Sequence, residues 1–309
     1  MKLFLDSGAY SAWANKSSVD VHEYIKFIRQ NEAYLETYAC LDDITNPEKT
    51  WENQHIMESE GLHPLPVWHT GEADKYFDRA MKYPYFAVGG MALSGATSRQ
   101  AEFNKVFLRL CTKASDFYPS HKVHGFGLAS PSLLVSYPWY SVDTTSWVMY
   151  GRYGIILVPS IDRNGQYNYY EAPQVVTISS RSKATGSVKH FNNLEGSNKQ
   201  VILKYCEEKG FPLGKTLTKL VDPGYVLKEN EKWIDKKAMK ERKKNTEFSF
   251  FDKGGIRKDR VEVFKEAGLR SDGEMRDAIN LMYFLDLEKH QKKYPWQWRK
   301  ELLENSFQK

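Results

Sequence analysis

The chain has 309 residues, 41% of them hydrophobic, 14% aromatic and 27% charged, which is enough apolar material for a full core and too little charge excess for a disordered protein. No run approaches the roughly 18–20 apolar residues of a membrane span, and Asp6 stops the apolar start Leu3, Phe4, Leu5 at once, so a soluble, non-secreted protein is expected. Net charge is +5, but unevenly held: residues 1–180 carry 15 Lys and Arg against 19 Asp and Glu, whereas residues 181–309 carry 29 against 20.

Apolar, β-branched and aromatic runs at 3–6, 35–42, 65–69, 85–89, 122–127, 139–143 and 154–158 predict strands. Residues 20–31 set Val21, Tyr24, Ile25 and Ile28 on one face behind an N-cap at Asp20. Residues 98–115 repeat the period with Phe103, Val106, Phe107 and Leu110, and both segments predict helices. Alternating strands and helices imply parallel βαβ units, and a chain this long without a dinucleotide fingerprint leans toward a TIM-type (β/α)8 barrel. The alternation is legible only to about residue 160, so the expected barrel is incomplete or irregular.

Beyond that point Ser, Asn, Gly and Lys dominate from Ser179 to Lys199, which reads as a loop-rich insertion. Lys236, Lys237, Lys240, Arg242, Lys243 and Lys244 surround one acid, Glu241; the run suits phosphate contacts or a solvated helix face. Residues Glu274–Lys293 predict an amphipathic helix through Met275, Ala278, Ile279, Met282, Tyr283 and Leu285. The expected organisation is thus 1–180 as the main part of a catalytic barrel and 181–309 as a basic insertion or extension that includes the closing helix. Cys40, Cys111 and Cys206 are too far apart for a CxxC-type zinc site and suggest core thiols in a reducing cytoplasm.

The chemistry concentrates where strands end. Asp6-Ser7-Gly8-Ala9-Tyr10 follows the first predicted strand, Asp42-Asp43 the second, His69-Thr70-Gly71 the third, Gly89-Gly90 the fourth and Asp143-Thr144-Thr145 the sixth. In a parallel sheet or barrel these ends share one face, where active sites form. An Asp there can instead cap the next helix and a Gly pair can be a tight turn. Clustered carboxylates without repeated Cys or His ligands favour acid/base or nucleophilic work at a sugar carbon over zinc hydrolysis. His121 and His124 have metal-pair spacing but lack a third ligand, and no GxxxxGK[ST] loop occurs.

These residues resemble a known family. Leu5-Asp6-Ser7-Gly8-Ala9-Tyr10-Ser11 resembles the DSGG[FY]Q motif of the tRNA-guanine transglycosylases, and Leu41-Asp42-Asp43 their FDE segment. Val67-Trp68-His69-Thr70-Gly71 stands where they have VQGG, Ala87-Val88-Gly89-Gly90-Met91-Ala92 is similar to AVGGLA, and Val142-Asp143 with Gly151-Arg152 is similar to FDCV followed by Arg. Ile279-Asn280-Leu281 resembles the HNL that opens their last helix. The resemblance is good over about 1–155 and faint from there to about 290. The family's CxCxxC cluster is missing, its partner His is replaced by Ile279, and its Gln by His69. A short, zinc-free version with a basic C-terminal part is most similar to the phage-borne and bacterial enzymes that insert 7-deazaguanines into DNA.

The resemblance implies a pentosyltransferase that needs no cofactor or metal and works on DNA, with tRNA as the alternative polymer, in the cytoplasm of a cell or of a phage's host. It implies Asp143 as the nucleophile at C1′ and Asp6 as the acid and base for the departing and arriving purine. Asp42 would read the base's N1–H and amino group, with His69, Gly89 and Gly90 on the opposite edge. Ser7 belongs to the same base pocket, and Tyr10 either stacks on the base or fills the core. Trp68 is a candidate support for a flipped nucleotide, and Lys236, Lys237, Lys240, Lys243 and Lys244 for phosphate contacts. A glycoside hydrolase or lyase built on the same carboxylates is the alternative of another class.

Overall fold

The computed structural model describes residues 2–90, 96–180, 182, 188–222, 224–234, 250–251 and 257–299. Contacts group the chain into two units, Met1–Thr144 with Lys292–Lys309, and Thr145–Gln291.

The first unit alternates strand and helix: β1 (Leu3–Leu5), α1 (Ala9–Ala14), α2 (Val21–Asn31), β2 (Leu35–Tyr38), α3 (Pro47–Ser59), β3 (Val67–His69), α4 (Asp74–Ala80), β4 (Tyr85–Gly89), α5 (Ala96–Leu110), β5 (Lys122–Gly125), α6 (Pro131–Ser136) and β6 (Ser141–Val142). β1 pairs with β2 in parallel, and β3, β4, β5 and β6 form a second parallel run. A parallel bridge between Ala39 and Leu65 carries the ladder from the end of β2 toward β3. Spatial order therefore follows sequence order, without the reversal of a doubly wound sheet, and every C-terminal strand end faces the same way.

Local chemistry explains the elements. The Asp20 carboxylate accepts from the N–H groups of His22 and Glu23 at the start of α2, and Asn46 caps α3 ahead of Pro47 at its first position. α2 buries Tyr24, Ile25 and Ile28 against Leu35, Ala39, Met57, Val67 and Ala87. Phe86, Ala87 and Val88 of β4 are fully buried on both faces, as an inner parallel strand requires. A second, aromatic core joins Phe103 and Phe107 of α5 to Tyr137, Trp139 and Trp298. Trp298 is pinned by its indole N–H on the Ser136 carbonyl and its backbone N–H on that of Phe117, which is why the C-terminal segment belongs to this unit.

The second unit holds α7 (Ser146–Arg152), β7 (Ile155–Val158), the hairpin β8 (Ser160–Ile161) and β9 (Tyr167–Asn168), β10 (Gln174–Thr177), β11 (Lys189–His190), α8 (Gly196–Glu208), β12 (Lys215–Val221), β13 (Glu231–Trp233), β14 (Phe250–Phe251), β15 (Arg257–Glu266) and α9 (Gly273–His290). β10 lies antiparallel to β7 and parallel to β11, while β15 pairs antiparallel with β12, β13 and β14. Buried Asn280 of α9 accepts from the Leu157 N–H and donates to the Ile155 and Trp147 carbonyls, and Arg276 donates to the Gly151 carbonyl. These bonds bind α7 and β7 to α9 within the second unit.

The fold is mixed α/β with parallel sheets, and no closed barrel is detected among the described residues. Ser179–Lys199, expected as loop, contains β11 and the first turn of α8. The antiparallel sheet around β15 was not foreseen. The basic run from Lys236 to Lys244 lies outside the described residues. No described helix is long and apolar enough to cross a membrane.

Candidate active site

The site is built within the first unit on the C-terminal ends of β1, β2, β3, β4 and β6. After β1, Gly8 turns the chain with φ +74°, a left-handed conformation that glycine adopts without a Cβ penalty. The turn leaves Ser7 buried, its hydroxyl accepting from the Ala9 N–H at 3.1 Å and donating to Asp42 Oδ1 at 2.7 Å. Asp42, beyond the end of β2, receives His69 Nε2 on its other oxygen at 2.9 Å, and His69 Nδ1 meets Glu72 Oε1 at 2.9 Å. All three side chains are at most 10% exposed.

A buried imidazole between two carboxylates is an electrostatic clamp. Burial alone lowers the His69 pKa, but hydrogen bonds and charge attraction from Asp42 and Glu72 outweigh it and raise the group to about 9. At neutral pH both ring nitrogens therefore donate. Gly89 explains the close fit: a Cβ there would lie 2.7 Å from His69 Cδ2, so the strand can pass over the ring only without a side chain. Gly90 follows with φ +79° against Thr70.

Asp6 is exposed on one side, yet the protein packed around it strips part of its hydration and raises its pKa. Repulsion from Asp42 adds to this, the Ser7 N–H opposes it, Asp143 raises it further and the Gly8 N–H opposes it. The charge of Asp143 thus reaches Asp6, which places the ends of β1 and β6 in one electrostatic neighbourhood. Asp143 is about half exposed, and its Oδ1 accepts from the Gly127 N–H at 2.8 Å with His124 Nε2 at 3.4 Å. Tyr10 is exposed on α1 with its ring 5.8 Å from that of Trp13, so it does not fill the core.

Two expectations are corrected. Asp43 is spent on a turn, where its Oδ1 accepts from the Thr45 N–H and hydroxyl and from the Asn46 N–H, so it is no part of a reactive cluster. Trp68 is buried edge-on against Phe77 because β3 is covered on both faces, and it cannot support a flipped base. His121 is turned to the Met81 carbonyl and Ser120, whereas His124 faces Ser141 and Asp143, so the two are not a pair.

Glu72, His124 and Phe4, which stacks on the His124 ring at 4.3 Å, were missed as site residues. A signal existed for Glu72, three residues past His69 in the same strand-end loop, and for His124, two residues into the fifth strand. Comparison with protein-family models, curated proteins and solved structures finds no match to this chain.

Proposed function

We propose that this protein is a base-exchanging transglycosylase that replaces guanine in DNA by a 7-deazaguanine through a covalent ester between Asp143 and the sugar. The observation that carries the reading is the pairing of two unlike carboxyl groups at the ends of parallel strands: Asp6, whose pKa burial and the neighbouring Asp42 raise above the ordinary aspartate value, and Asp143, open to solvent and held through one oxygen. We propose likewise that the six strands in sequential order are the larger part of an irregular (β/α)8 barrel, whose C-terminal face is the usual place for such a site.

In the first half-reaction an Asp143 oxygen lone pair forms the bond to C1′ as the C1′–N9 bond breaks. The bond's electrons leave with guanine, and N9 takes the proton from Asp6. In the second, N9 of the incoming base attacks C1′, its proton passes to Asp6, and the C1′–O bond pair returns to Asp143. One glycosidic bond is exchanged for another, so no energy-rich cofactor is consumed. Both Asp42 oxygens are already engaged by Ser7 and His69, but each keeps a second acceptor site. Asp42 can therefore meet the donors at N1 and the amino group of a guanine-like base, and the bond from His69 holds it in place for that purpose. Gly89 and Gly90 would then offer backbone to the base, and Tyr10 an exposed ring to stack on it. His69 itself, with both nitrogens committed, supports Asp42 in place of reading the base.

Lys236, Lys237, Lys240, Lys243 and Lys244 are proposed as phosphate contacts. Incubation with radiolabelled guanine and either duplex DNA or tRNA tests the reading. Label entering DNA supports it, label entering tRNA alone moves the activity to the other polymer, and label entering neither, with sugar hydrolysis instead, favours a glycoside hydrolase.

A further inference from the structure

We infer that His124 is a positioning residue for Asp143, presenting an Nε2–H that holds the nucleophile's Oδ1 and eases breakdown of its ester; the inference rests on the transglycosylase reading above. His124 is 2% exposed, and its Nε2 has no hydrogen-bond partner, the nearest opposite charge being Asp143 Oδ1 at 3.4 Å. A buried ring N–H gains by closing that gap.

The other side of the ring and the Asp143 carboxylate together select which nitrogen holds the proton. His124 Nδ1 lies 2.8 Å from Ser141 Oγ, and Ser141 Oγ lies 2.7 Å from the Tyr85 hydroxyl. If Tyr85 donates to Ser141, and Ser141 to Nδ1, then Nε2 carries the hydrogen and points it at Asp143. The reverse chain would set a bare Nε2 lone pair against the carboxylate, which is repulsive. Phe4, stacked at 4.3 Å and 17°, holds the ring plane. A line of hydrogen bonds from Tyr85 therefore ends at the His124 ring, whose Nε2 stands 3.4 Å from the same oxygen that the Gly127 N–H holds.

With Oδ1 held, Oδ2 is the oxygen free to bond C1′, and Oδ1 becomes the ester carbonyl. Hydrogen bonds to Oδ1 are stronger for a carboxylate than for an ester. They therefore favour the second half-reaction, in which the carboxylate is regenerated, over the first.

The test combines a spectrum with two kinetic readouts on the full chain. In the ligand-free protein, 15N-histidine NMR should place the His124 proton on Nε2, and Ser141→Ala should abolish that preference. His124→Phe keeps a ring on Phe4 but removes the donor. It should lower guanine exchange roughly 10- to 100-fold while raising the fraction of chain trapped as a denaturation-resistant DNA adduct. His124→Gln, which can return an N–H near the same point, should recover part of the exchange rate. A proton on Nδ1, parental exchange by His124→Phe, or adduct and exchange falling together with the melting temperature would each overturn the role. A parent chain that forms no adduct and exchanges no guanine, yet carries the proton on Nε2, would refute the transglycosylase reading and this role with it, while showing the contact to be real.

Discussion

The His69 ring lies directly against the Gly89 backbone, so that a Cβ at position 89 would come within 2.7 Å of His69 Cδ2. Gly89→Ala must therefore displace the ring that holds Asp42. It should destabilise the protein by about 1–3 kcal/mol, the usual range for overpacking, and weaken selection of the incoming base. Chemical denaturation and competition between guanine and adenine measure the two effects.

The clamp also has a pH signature. A histidine in the unfolded chain titrates near 6.5, whereas folded His69 is raised to about 9. Its contribution to stability is present in full below about 6.5 and is lost as pH rises through about 9. A His69→Leu variant leaves Asp42 and Glu72 facing each other without the cation, at a cost of about 3–5 kcal/mol near neutral pH. The gap between parent and variant should narrow as pH passes 9; a gap constant from pH 6 to 10 would contradict the clamp.

Asp6 moves stability in the same pH direction, but as a deficit above the transition and not a gain below it. Its raised pKa means that the folded chain holds the proton more tightly than the unfolded one, so stability falls as pH rises from the ordinary aspartate value through the folded one, and the deficit persists above. Asp6→Asn removes that deficit, raising the melting temperature at neutral pH while impairing proton transfer to and from the base. The stability gain should vanish as pH falls below the ordinary aspartate range.

Particular residues show how far the sequence could be read. The strand ends at Asp6, Asp42, His69 and Gly89 were visible because period-two and period-3.6 patterns alternate cleanly through the first 143 residues. The partners of those residues were not. Nothing local distinguishes Asp42, which binds Ser7 and His69 across the sheet, from Asp43, which caps its own turn, since the difference lies in which way the chain faces after β2. The role of His124 was hidden because sequence spacing says nothing of Ser141 and Asp143, both brought beside it by the β5–β6 pairing. The antiparallel sheet around β15 was hidden for another reason. β12 is exposed along most of its length, with Leu217 and Leu220 open to solvent, so its burial does not follow the alternation that marks a half-buried strand.

If the basic run serves DNA, affinity should fall steeply with salt, because each phosphate neutralised releases counterions. Charge reversal at Lys236, Lys240 and Lys244 should weaken binding and flatten the salt slope by up to about 3 in log–log units, with base preference unchanged. Parental affinity in that triple variant would move the polymer to another face.

The central claim is that Asp143 becomes covalently joined to a sugar, and the most direct measurement is mass spectrometry of the denatured chain after incubation with guanine-containing DNA. The account predicts an adduct mapping to the peptide that contains Asp143, absent from Asp143→Asn, which should also lose guanine exchange because an amide cannot form the ester. An Asp143→Asn chain that still exchanges labelled guanine at the parental rate, or an adduct mapping to any other residue, would contradict it.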